Sequence, residues 1–585
     1  MKTMYWNGFV TQRKAFLSFK WVAKRSDPEI SHTKARGREF QYIPKPMFFF
    51  SDSQRIIRGK AFTHAAIRSI SLRAFVPSRE IFSRITHSCF KRPQRKLSAA
   101  LLVAFIVTAT GCAVGPDFQR PEAPHATGYT PTPLPETTAS VPGIAGSAQT
   151  FDTTRDIPAQ WWSLFKSPQL DALIRKAFEA NPDIEAAQAA LREVQANVRA
   201  QRGFFFPTIQ GNYSPSRVKP SENDGGPGIY NLHTAQLTVG FAPDIFGGNR
   251  RHVESLQAQA EMQRFQLEAV TITLASNIVA AAIQEASIRD QIAAVERIIA
   301  FNTRSLDITK GQHHYGEVSR LDVVAQESAL AQTKQLLPPL ENQLQLTRNL
   351  IRVLVGNLPS EDVEETFTLA SFHLPEELPL ILPSKLVMQR PDIRAAEAQM
   401  RVTNAQVGMA IADRFPSFSI EGNWGGNATH FSQMLQPANL LFELIGNLAL
   451  TLFDGGTLSY QQRAAEQAFR QAAAEYRGVV LAAFQDVADT LHAIHSNAAS
   501  LKAATEAEHA AKVALELVRA QQELGEIGYL ELLSAESAYQ EAITDLIQAQ
   551  AERFGSTAAL FQALGGGWWN RDEDSPSNEG EERAP

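Results

Sequence analysis

Cysteine is scarce in this sequence of 585 residues, which holds only Cys89 and Cys112. A disulfide framework or a cysteine-based metal site needs more thiols than the chain supplies. The sequence also lacks GxxxxGK[ST], HExxH, GxSxG and the glycine pattern of dinucleotide-binding folds. These absences predict a protein that is not an enzyme and that has no nucleotide site of its own.

Residues 97–110 form an apolar run of 14 residues. A transmembrane helix needs roughly 20, so the run suits the core of a signal peptide instead. Basic residues 91–96 precede it, and Ala109, Thr110, Gly111 and Cys112 follow, an order typical of a bacterial lipoprotein signal. Ala109 stands where Leu is commoner, and a chance cysteine beside an apolar run is the alternative. We expect residues 91–111 to be the signal peptide and Cys112 to carry a covalent lipid.

Residues 1–90 form a basic leader without sustained helical or strand periodicity. Residues 1–96 hold 21 Lys and Arg against 5 Asp and Glu, a net charge of +16, so the whole-chain charge of −5 leaves −21 for the remainder. A start codon placed too far upstream would give such a leader, and a basic arm that binds nucleic acid or anionic lipid is the alternative. We favour the upstream start, because a signal peptide lies near the N-terminus, and predict no nucleic-acid partner.

Segments of biased composition flank the part that is expected to fold. Residues 116–147 are rich in Pro, Thr, Gly and Ala, which bury little apolar surface, so residues 112–150 are predicted to form a lipidated tether. Residues 569–585 are polar and acidic and are predicted to be disordered. Trp161 and Trp162 are interpreted as the start of the packed core, in preference to an interfacial aromatic pair.

The sequence between these segments repeats itself at an offset of 209 residues. The stretch NPDIEAAQAALREVQANVRAQRGFFFP, from Asn181, aligns with RPDIRAAEAQMRVTNAQVGMAIADRFP, from Arg390. The same offset aligns GEVSRLDVVAQES with GEIGYLELLSAES. We therefore predict a duplication, with a first repeat at residues 151–360, a linker at 361–380 and a second repeat at 381–568.

Each repeat contains two segments in which apolar and polar residues alternate, at about 208–215 and 233–242 and at about 417–426 and 446–453. Such alternation suits barrel strands with one face towards lipid and one towards water. The residues predicted to face lipid are Ile209, Gly211, Tyr213, Ala235, Leu237, Val239, Phe241, Phe418, Ile420, Gly422, Trp424, Leu448, Leu450 and Leu452. Several chains must share one barrel, since the smallest closed membrane barrels have about eight strands.

A very long helix is predicted after the second strand of each repeat, at about residues 250–312 and 457–523. Sixty-odd residues span on the order of 90 to 100 Å, more than a compact domain uses. Each helix turns at a Gly-Glu pair and runs back, at about residues 318–356 and 528–563. The sequence thus predicts a mixed α/β membrane protein in which a long helical hairpin is joined to a pair of membrane strands, twice per chain.

At this point the chain resembles the outer membrane efflux proteins, the TolC-like outer membrane factors, and in particular the NodT-type lipoprotein branch that serves resistance-nodulation-division pumps. The resemblance covers about residues 112–568 and rests on GCAVGPDFQRP, WWSLFKSPQLDALI, NPDI and RPDI with their Phe-Pro ends, GEIGYLELLSAE and LGGGW. It implies a homotrimer in which twelve strands close one β-barrel in the outer membrane and the helices continue it as a tube across the periplasm. It also implies export of small molecules, with a periplasmic adaptor protein and an inner-membrane pump as partners.

The resemblance also implies where the periplasmic end of the tube lies. The turns between paired helices should be the tips on which the adaptor docks, and their residues are Gly316, Glu317, Val318, Gly525, Glu526 and Ile527. In relatives a Leu ring and, four residues on, often an Asp ring narrow the tube; here the positions hold Leu530 and Ser534. Glu531 and Glu536 are the nearest acids, and a surface role fits them as well as a gating role. We expect the closed state to depend on Leu530 and on contacts near Tyr529.

Two alternatives stay open at the level of sequence. Asp486, Asp489, His492 and His495 recur every third residue and could bind a divalent metal, but without a further ligand a polar stripe is favoured, and no metal or cofactor is predicted beyond the lipid on Cys112. Long helices rich in Ala and Gln also build lipid-anchored periplasmic coiled-coil scaffolds without a pore. The four alternating strands favour the channel, because a scaffold has no use for them.

Overall fold

The structure is a computed structural model that describes residues 113–126, 128–221, 228–524 and 526–571. The predicted disordered tail at 569–585 begins too early, because Trp569 packs against the core and the Asn570 amide donates to the Ile157 carbonyl over 2.8 Å. Several other predictions concern segments outside the described residues, namely the leader at 1–90, the signal peptide at 91–111, Cys112, Gly525 and the rest of the tail, from residue 572 onwards. These therefore stay predictions.

The first half of the described chain leads through two helices into a strand hairpin and then a long helical hairpin. Its elements are β1 (Thr150–Asp152), α1 (Pro168–Ala180), α2 (Pro182–Arg202), β2 (Thr208–Val218), β3 (Tyr230–Phe241), α3 (Gly248–His314), α4 (Arg320–Gln335) and α5 (Leu337–Val355). Helix α2 begins where the sequence signals it, because the Asn181 side chain accepts a hydrogen bond from the Asp183 N–H over 2.8 Å and Pro182 occupies the first turn.

The second half follows the same order. Its elements are β4 (Glu377–Pro379), α6 (Pro383–Gln389), α7 (Pro391–Ala412), β5 (Ser417–Ala428), β6 (Leu440–Ala449), α8 (Thr457–Glu523) and α9 (Tyr529–Ala563). Strands β1 and β4 pair in parallel. The start of the first repeat is thereby joined to the linker between the repeats.

Both long helices begin by the same local device. Gly247 and Gly456 stand at their N-termini with φ of 79° and 93°, a left-handed conformation that favours glycine. The carboxylates of Asp244 and Asp454 accept hydrogen bonds from backbone N–H groups around the start of each helix. Each helix then continues for 67 residues, about 100 Å.

The fourth strand begins six residues earlier and ends four residues earlier than predicted, at Leu440–Ala449 instead of 446–453. The prediction was wrong here because residues 440–445, LLFELI, are apolar on both faces and hide the alternation of a half-buried strand. Leu450 and Leu452, which were predicted to face lipid from within this strand, lie beyond its end.

The return helix of the first repeat, predicted as one helix at 318–356, is divided into α4 and α5 at Leu336. Pro338 and Pro339 explain the division, because a proline has no backbone N–H to donate and its ring clashes with the preceding turn. The equivalent helix α9 contains no proline and is continuous over 35 residues.

The segment at residues 113–150, described except for residue 127, is not the loose tether that its composition predicted. It lies along the helices, and arginines from distant parts of the chain hold it. Arg251 donates to the carbonyl oxygen of Gly115 over 3.1 Å, and Arg553 donates to that of Ser147 over 2.9 Å. The prediction failed because the few apolar side chains of the segment, such as Tyr129 and Leu134, do pack against the core, and because buried arginines satisfy its backbone carbonyls.

The apolar core lies among helices of both halves. Trp161 is fully buried and stacks on Phe561 with 5.3 Å between ring centroids, and Phe165 contacts Phe554 at 6.3 Å. Trp162 is also buried, so the interpretation of this pair as core residues is confirmed. Helix α3 is the one described helix long and apolar enough to cross a membrane, but half of its most apolar window is buried within the chain, so it is weak evidence for a span.

Candidate functional site

The strands β2, β3, β5 and β6 form one antiparallel sheet in that order. The residues predicted to face lipid lie opposite one another across the strands, as Leu237 does with Gly211 and Trp424. Because side chains alternate between the two faces of a strand, the residues of the strands that were predicted to face lipid lie on the same face of the sheet. This apolar face presents Ile209, Tyr213, Leu237, Val239, Phe418, Ile420, Trp424, Phe442, Leu444 and Leu448. Phe442 and Leu444 are 84% and 76% exposed, so the face is a large uncovered apolar surface.

The opposite face of the sheet is mostly polar, with hydrogen bonds that run along and across the strands. The Thr238 hydroxyl donates to the Asn423 side-chain oxygen over 2.7 Å, and the Asn423 amide donates to Glu421 over 3.0 Å. The polar face includes Gln210, Asn212, Gln236, Thr238, Glu421, Asn423, Glu443 and Asn447. One face therefore suits lipid and the other suits water.

Sequence reasoning missed two residues of the apolar face, Phe442 and Leu444, because it placed them in a loop. The signal was present: both lie an even number of residues from Leu448, and Glu443 between them points to the polar face.

The two outer strands of the sheet are β2 and β6. Within the described chain, β2 pairs only with β3 and β6 only with β5. An unpaired strand edge offers a row of N–H and C=O groups to another chain. The sheet is thus incomplete at both edges, in addition to being uncovered on its apolar face.

Two similar turns close the far ends of the long helices, where the tips were predicted. At the first, the N–H of Glu317 donates to the carbonyl of Gln312 over 2.9 Å, and Gly316 takes a φ of 79°. These features resemble the Schellman arrangement that ends many helices. At the second, the N–H of Glu526 donates to the carbonyl of Gln521 over 3.0 Å. Each predicted tip therefore lies one helix length from the sheet.

Apolar side chains are exposed around both turns. Those between 73% and 80% exposed are Tyr315, Leu321, Leu524 and Leu530. Val318 and Ile527 are half-buried within the turns themselves. The turns thus combine exposed backbone with apolar side chains, a surface typical of protein contacts.

The residues of the predicted constriction lie in the first turns of α9. Leu530, Glu531 and Ser534 are exposed, and Leu530 and Ser534 share one helix face because they are four residues apart. Glu531 is the acid of the first turn, where a carboxylate stabilises the positive end of the helix dipole. The Tyr529 hydroxyl is buried without a hydrogen-bond partner among the described residues, and burial and the neighbouring Glu536 raise its pKa.

Glu536 lies in a seam between three helices, which we call the α3/α8/α9 seam and define by Arg297, Phe301, Arg519, Tyr529, Glu536 and Tyr539. Its carboxyl is only 6% exposed, and burial raises its pKa to about 7. The Arg519 guanidinium approaches it at 3.8 Å and lies 3.5 Å from the centroid of the Phe301 ring. A cavity of about 150 Å³ lies in the seam.

Sequence reasoning identified Glu536 only as an acid near the constriction and missed Arg519 and Phe301. No local pattern could have found them, because Phe301 lies more than 200 positions before Arg519 and Glu536 in the chain.

The acidic and histidine residues every third position on α8 do not form one cluster. Asp486 accepts a hydrogen bond from the Arg390 guanidinium over 2.5 Å, whereas the His495 ring lies 5.5 Å from that of Phe151. Burial and the nearby Arg553 lower the pKa of His495. Among the described ranges, no group of three His, Cys, Asp or Glu residues is arranged to hold a metal ion.

Known proteins share this architecture. A solved structure titled as the outer-membrane channel OprN is similar over 78% of this chain and 100% of its own, with a TM-score of 0.70 and 25% identity. The open-state outer membrane channel MtrE of Neisseria gonorrhoeae is similar in fold over 78% of this chain and 99% of its own, with a TM-score of 0.67 and 24% identity. The two-strand, long-hairpin unit is therefore the fold of TolC-like outer membrane channels.

Sequence comparison leads to the same group. The pyoverdine export outer membrane protein OpmQ of Pseudomonas putida is 27% identical over 76% of this chain and 96% of its own, and the cation efflux system protein CusC of Escherichia coli is 25% identical over 81% and 100%. The profile of the outer membrane efflux protein family matches residues 173–357 and 382–566, two segments 209 positions apart. The chain therefore belongs to the outer membrane efflux protein family and is an outer-membrane channel component of an efflux pump.

Proposed function

We propose that three copies of this chain form one export channel: a twelve-stranded barrel in the outer membrane, continued by an α-helical tube in the periplasm. This proposal rests on the four-stranded sheet. Four strands cannot close a barrel, but twelve can, and both outer strands of the sheet are free to pair. In such a ring, β6 of each copy lies beside β2 of the next.

The two faces of the sheet fit this arrangement. The apolar face, with Phe442 and Leu444 almost fully exposed, would contact lipid, and the polar face would line a water-filled lumen. The lumen lowers the barrier to export, because a polar solute crosses the membrane without losing its water. A lumen lined by amides, hydroxyls and the carboxylates of Glu421 and Glu443 suits small solutes of varied chemistry.

A lipid on Cys112 would add a second attachment to the membrane. Ala113 lies against Gly247, and the N–H of Val114 donates to the carbonyl of Phe246 over 3.1 Å, at the junction between β3 and α3. In the proposed arrangement this junction lies at the inner boundary of the membrane. Several acyl chains there give stable anchoring.

The far turns would be the periplasmic end, where a periplasmic adaptor protein docks and an inner-membrane pump of the resistance-nodulation-division type supplies energy. Their exposed Tyr315, Leu321 and Leu524 fit a protein contact. Leu530 of three copies would narrow the lumen just inside this end. The cargo is a small molecule that the pump and adaptor deliver.

Reconstitution of the purified protein in planar bilayers tests this function. We expect discrete conductance steps from detergent-purified trimers whose circular dichroism contains a β-sheet contribution. The alternative, a lipid-anchored coiled-coil scaffold, predicts an all-helical spectrum and no conductance. Silent bilayers from intact trimers would refute the channel.

A further inference from the structure

Acidic and basic side chains of the four strands are sorted by sign between the two faces of the sheet. Glu421 and Glu443 lie on the polar face. Arg217 and His233 lie on the apolar face, an even number of residues from Tyr213 and Leu237 of their strands. Both basic groups are near the end of the sheet that is remote from the helices.

An aromatic cluster lies on the apolar face at the same end. The Tyr213 hydroxyl lies 2.9 Å from His233 Nδ1, and the two rings stack. Phe431, from the loop between β5 and β6, meets both rings edge-on, with centroid distances of 5.8 and 6.2 Å. The loop therefore reaches over the apolar face as far as β2.

The backbone of this loop is seated on the sheet. Gly426 of β5 belongs to the apolar face, and a side chain there would overlap the carbonyl oxygen of Met434. Met434 is buried, and the Asn439 amide donates to the carbonyl of Gln433 over 2.8 Å. The loop at residues 429–439 is thus a fixed part of the outward surface.

The side chains that this end of the sheet leaves uncovered are apolar and basic. Phe431 and Leu435 are 64% and 66% exposed. Arg217, Lys219 and His430 are also exposed, and in the described part of the chain the side chains of Arg217 and Lys219 make no hydrogen bond and no ion pair. We call these five residues the rim patch.

We propose that the rim patch binds the phosphate-bearing headgroup of a lipid in the outer leaflet of the outer membrane. The proposal rests on the proposed function, which puts the apolar face against lipid and this end of the sheet at the cell surface. Phe431 and Leu435 contact acyl chains, while Arg217 and Lys219 donate to phosphate oxygens. The sheet's two carboxylates face the lumen, so none of them repels an anionic headgroup on the outside.

Native mass spectrometry of the detergent-purified, full-length trimer tests the proposal, with bisphosphorylated lipid A and its dephosphorylated form as probes. The double variant Arg217→Gln/Lys219→Gln should bind bisphosphorylated lipid A about thirtyfold more weakly than the parent protein, since each cation contributes about a fivefold gain in affinity at a membrane surface. Phe431→Ser should weaken binding of both probes. Arg192→Gln, which removes an exposed arginine of α2, is the matched control and should change neither.

Single-channel conductance of every variant separates this proposal from the proposed function. Equal binding of the two probes, or unchanged binding in the double variant with conductance intact, would overturn the rim patch and leave the channel standing. A parent protein without conductance would instead show that the membrane placement itself is wrong.

Discussion

At the scale of single residues, Arg553 shows how a buried cation can be held without an acid. Its guanidinium donates to the carbonyl oxygens of Ala145, Ser147 and Ile494 and to the Thr138 hydroxyl, over 2.8 to 3.3 Å. Burial lowers its pKa to about 10. These oxygen atoms replace the water that would otherwise solvate the guanidinium. The same hydrogen bonds attach the N-terminal segment to α8 and α9.

Replacing Arg553 by Met should therefore leave buried carbonyl groups without donors. We expect the free energy of unfolding to fall by about 3 kcal/mol or more, measured by denaturant titration in detergent, and residues 138–147 to be cleaved faster by protease. Arg192→Met, at an exposed position on α2, should change neither quantity. Equal protease resistance of the two variants would contradict the role given to Arg553.

The two faces of the sheet also differ at the level of one side chain. Leu237 and Thr238 are neighbours, but Leu237 lies on the apolar face and Thr238 on the polar face. Leu237→Arg should destabilise the membrane-inserted protein by about 2 to 4 kcal/mol, whereas Thr238→Arg should mainly alter conductance. Unfolding from liposomes measures the first effect and bilayer recording the second. Equal destabilisation by both substitutions would show that the faces are assigned wrongly.

At the scale of elements, the α3/α8/α9 seam makes helix packing sensitive to pH. Glu536 of α9 faces Arg519 of α8 and Arg297 of α3, with Tyr529 and Tyr539 on its own helix. Its pKa is raised to about 7, so burial favours the neutral carboxyl. The pKa of Glu536 is higher in the folded state than in the unfolded state, so the contribution of Glu536 to stability is complete below its unfolded-state pKa. This contribution is lost as the pH rises through the folded-state pKa of about 7.

The seam should therefore open more often at pH 8 than at pH 5.5. Hydrogen exchange of the peptides that contain Arg519 and Glu536 measures this opening, and exchange corrected for its intrinsic pH dependence should be faster at pH 8. Glu536→Gln should abolish the difference, because an amide stays neutral across this range. Glu531→Gln, at an exposed position in the same helix, should preserve it. If the pH dependence of hydrogen exchange persists in Glu536→Gln, a group other than Glu536 causes it.

The constriction at the start of α9 gives a second test at this scale. Leu530 is exposed in the single chain, so three copies can approach one another through it. Leu530→Ala should raise single-channel conductance because it removes side-chain volume from the proposed narrowest point of the tube. The expectation that contacts near Tyr529 hold the closed state does not extend to its hydroxyl, which has no partner among the described residues, so Tyr529→Phe should leave the conductance unchanged. Unchanged conductance in Leu530→Ala trimers would place the constriction elsewhere.

Local patterns in the sequence predict most elements, and the differences have physical causes. Alternation found β2, β3 and β5, but it failed at the start of β6, where Leu441 and Ile445 make both faces apolar. The break at Leu336 was predictable from Pro338 and Pro339. The seam and the ordered N-terminal segment were not predictable, because their contacts join residues up to several hundred positions apart, such as Arg553 and Ser147.

At the scale of the whole molecule, the central claim is that three chains share one closed barrel. Among the residues that the structure describes, the sheet ends at β2 and at β6, so each edge can accept a neighbour. A closed ring of three satisfies both edges of every copy, whereas an open pairing would leave edges free to add further chains. The number of chains that cross-link through these edges therefore distinguishes closure from open assembly.

Disulfide cross-linking between the edge strands measures this number most directly. Tyr213→Cys in β2 is combined in turn with Phe442→Cys, Leu444→Cys and Gly446→Cys in β6, and the membrane-inserted protein is oxidised and separated by size under denaturing conditions. At the matching register we expect covalent dimers and trimers, with the trimer as the largest species. Absence of cross-links at every register, or a ladder that continues beyond three chains, would contradict the closed trimeric barrel.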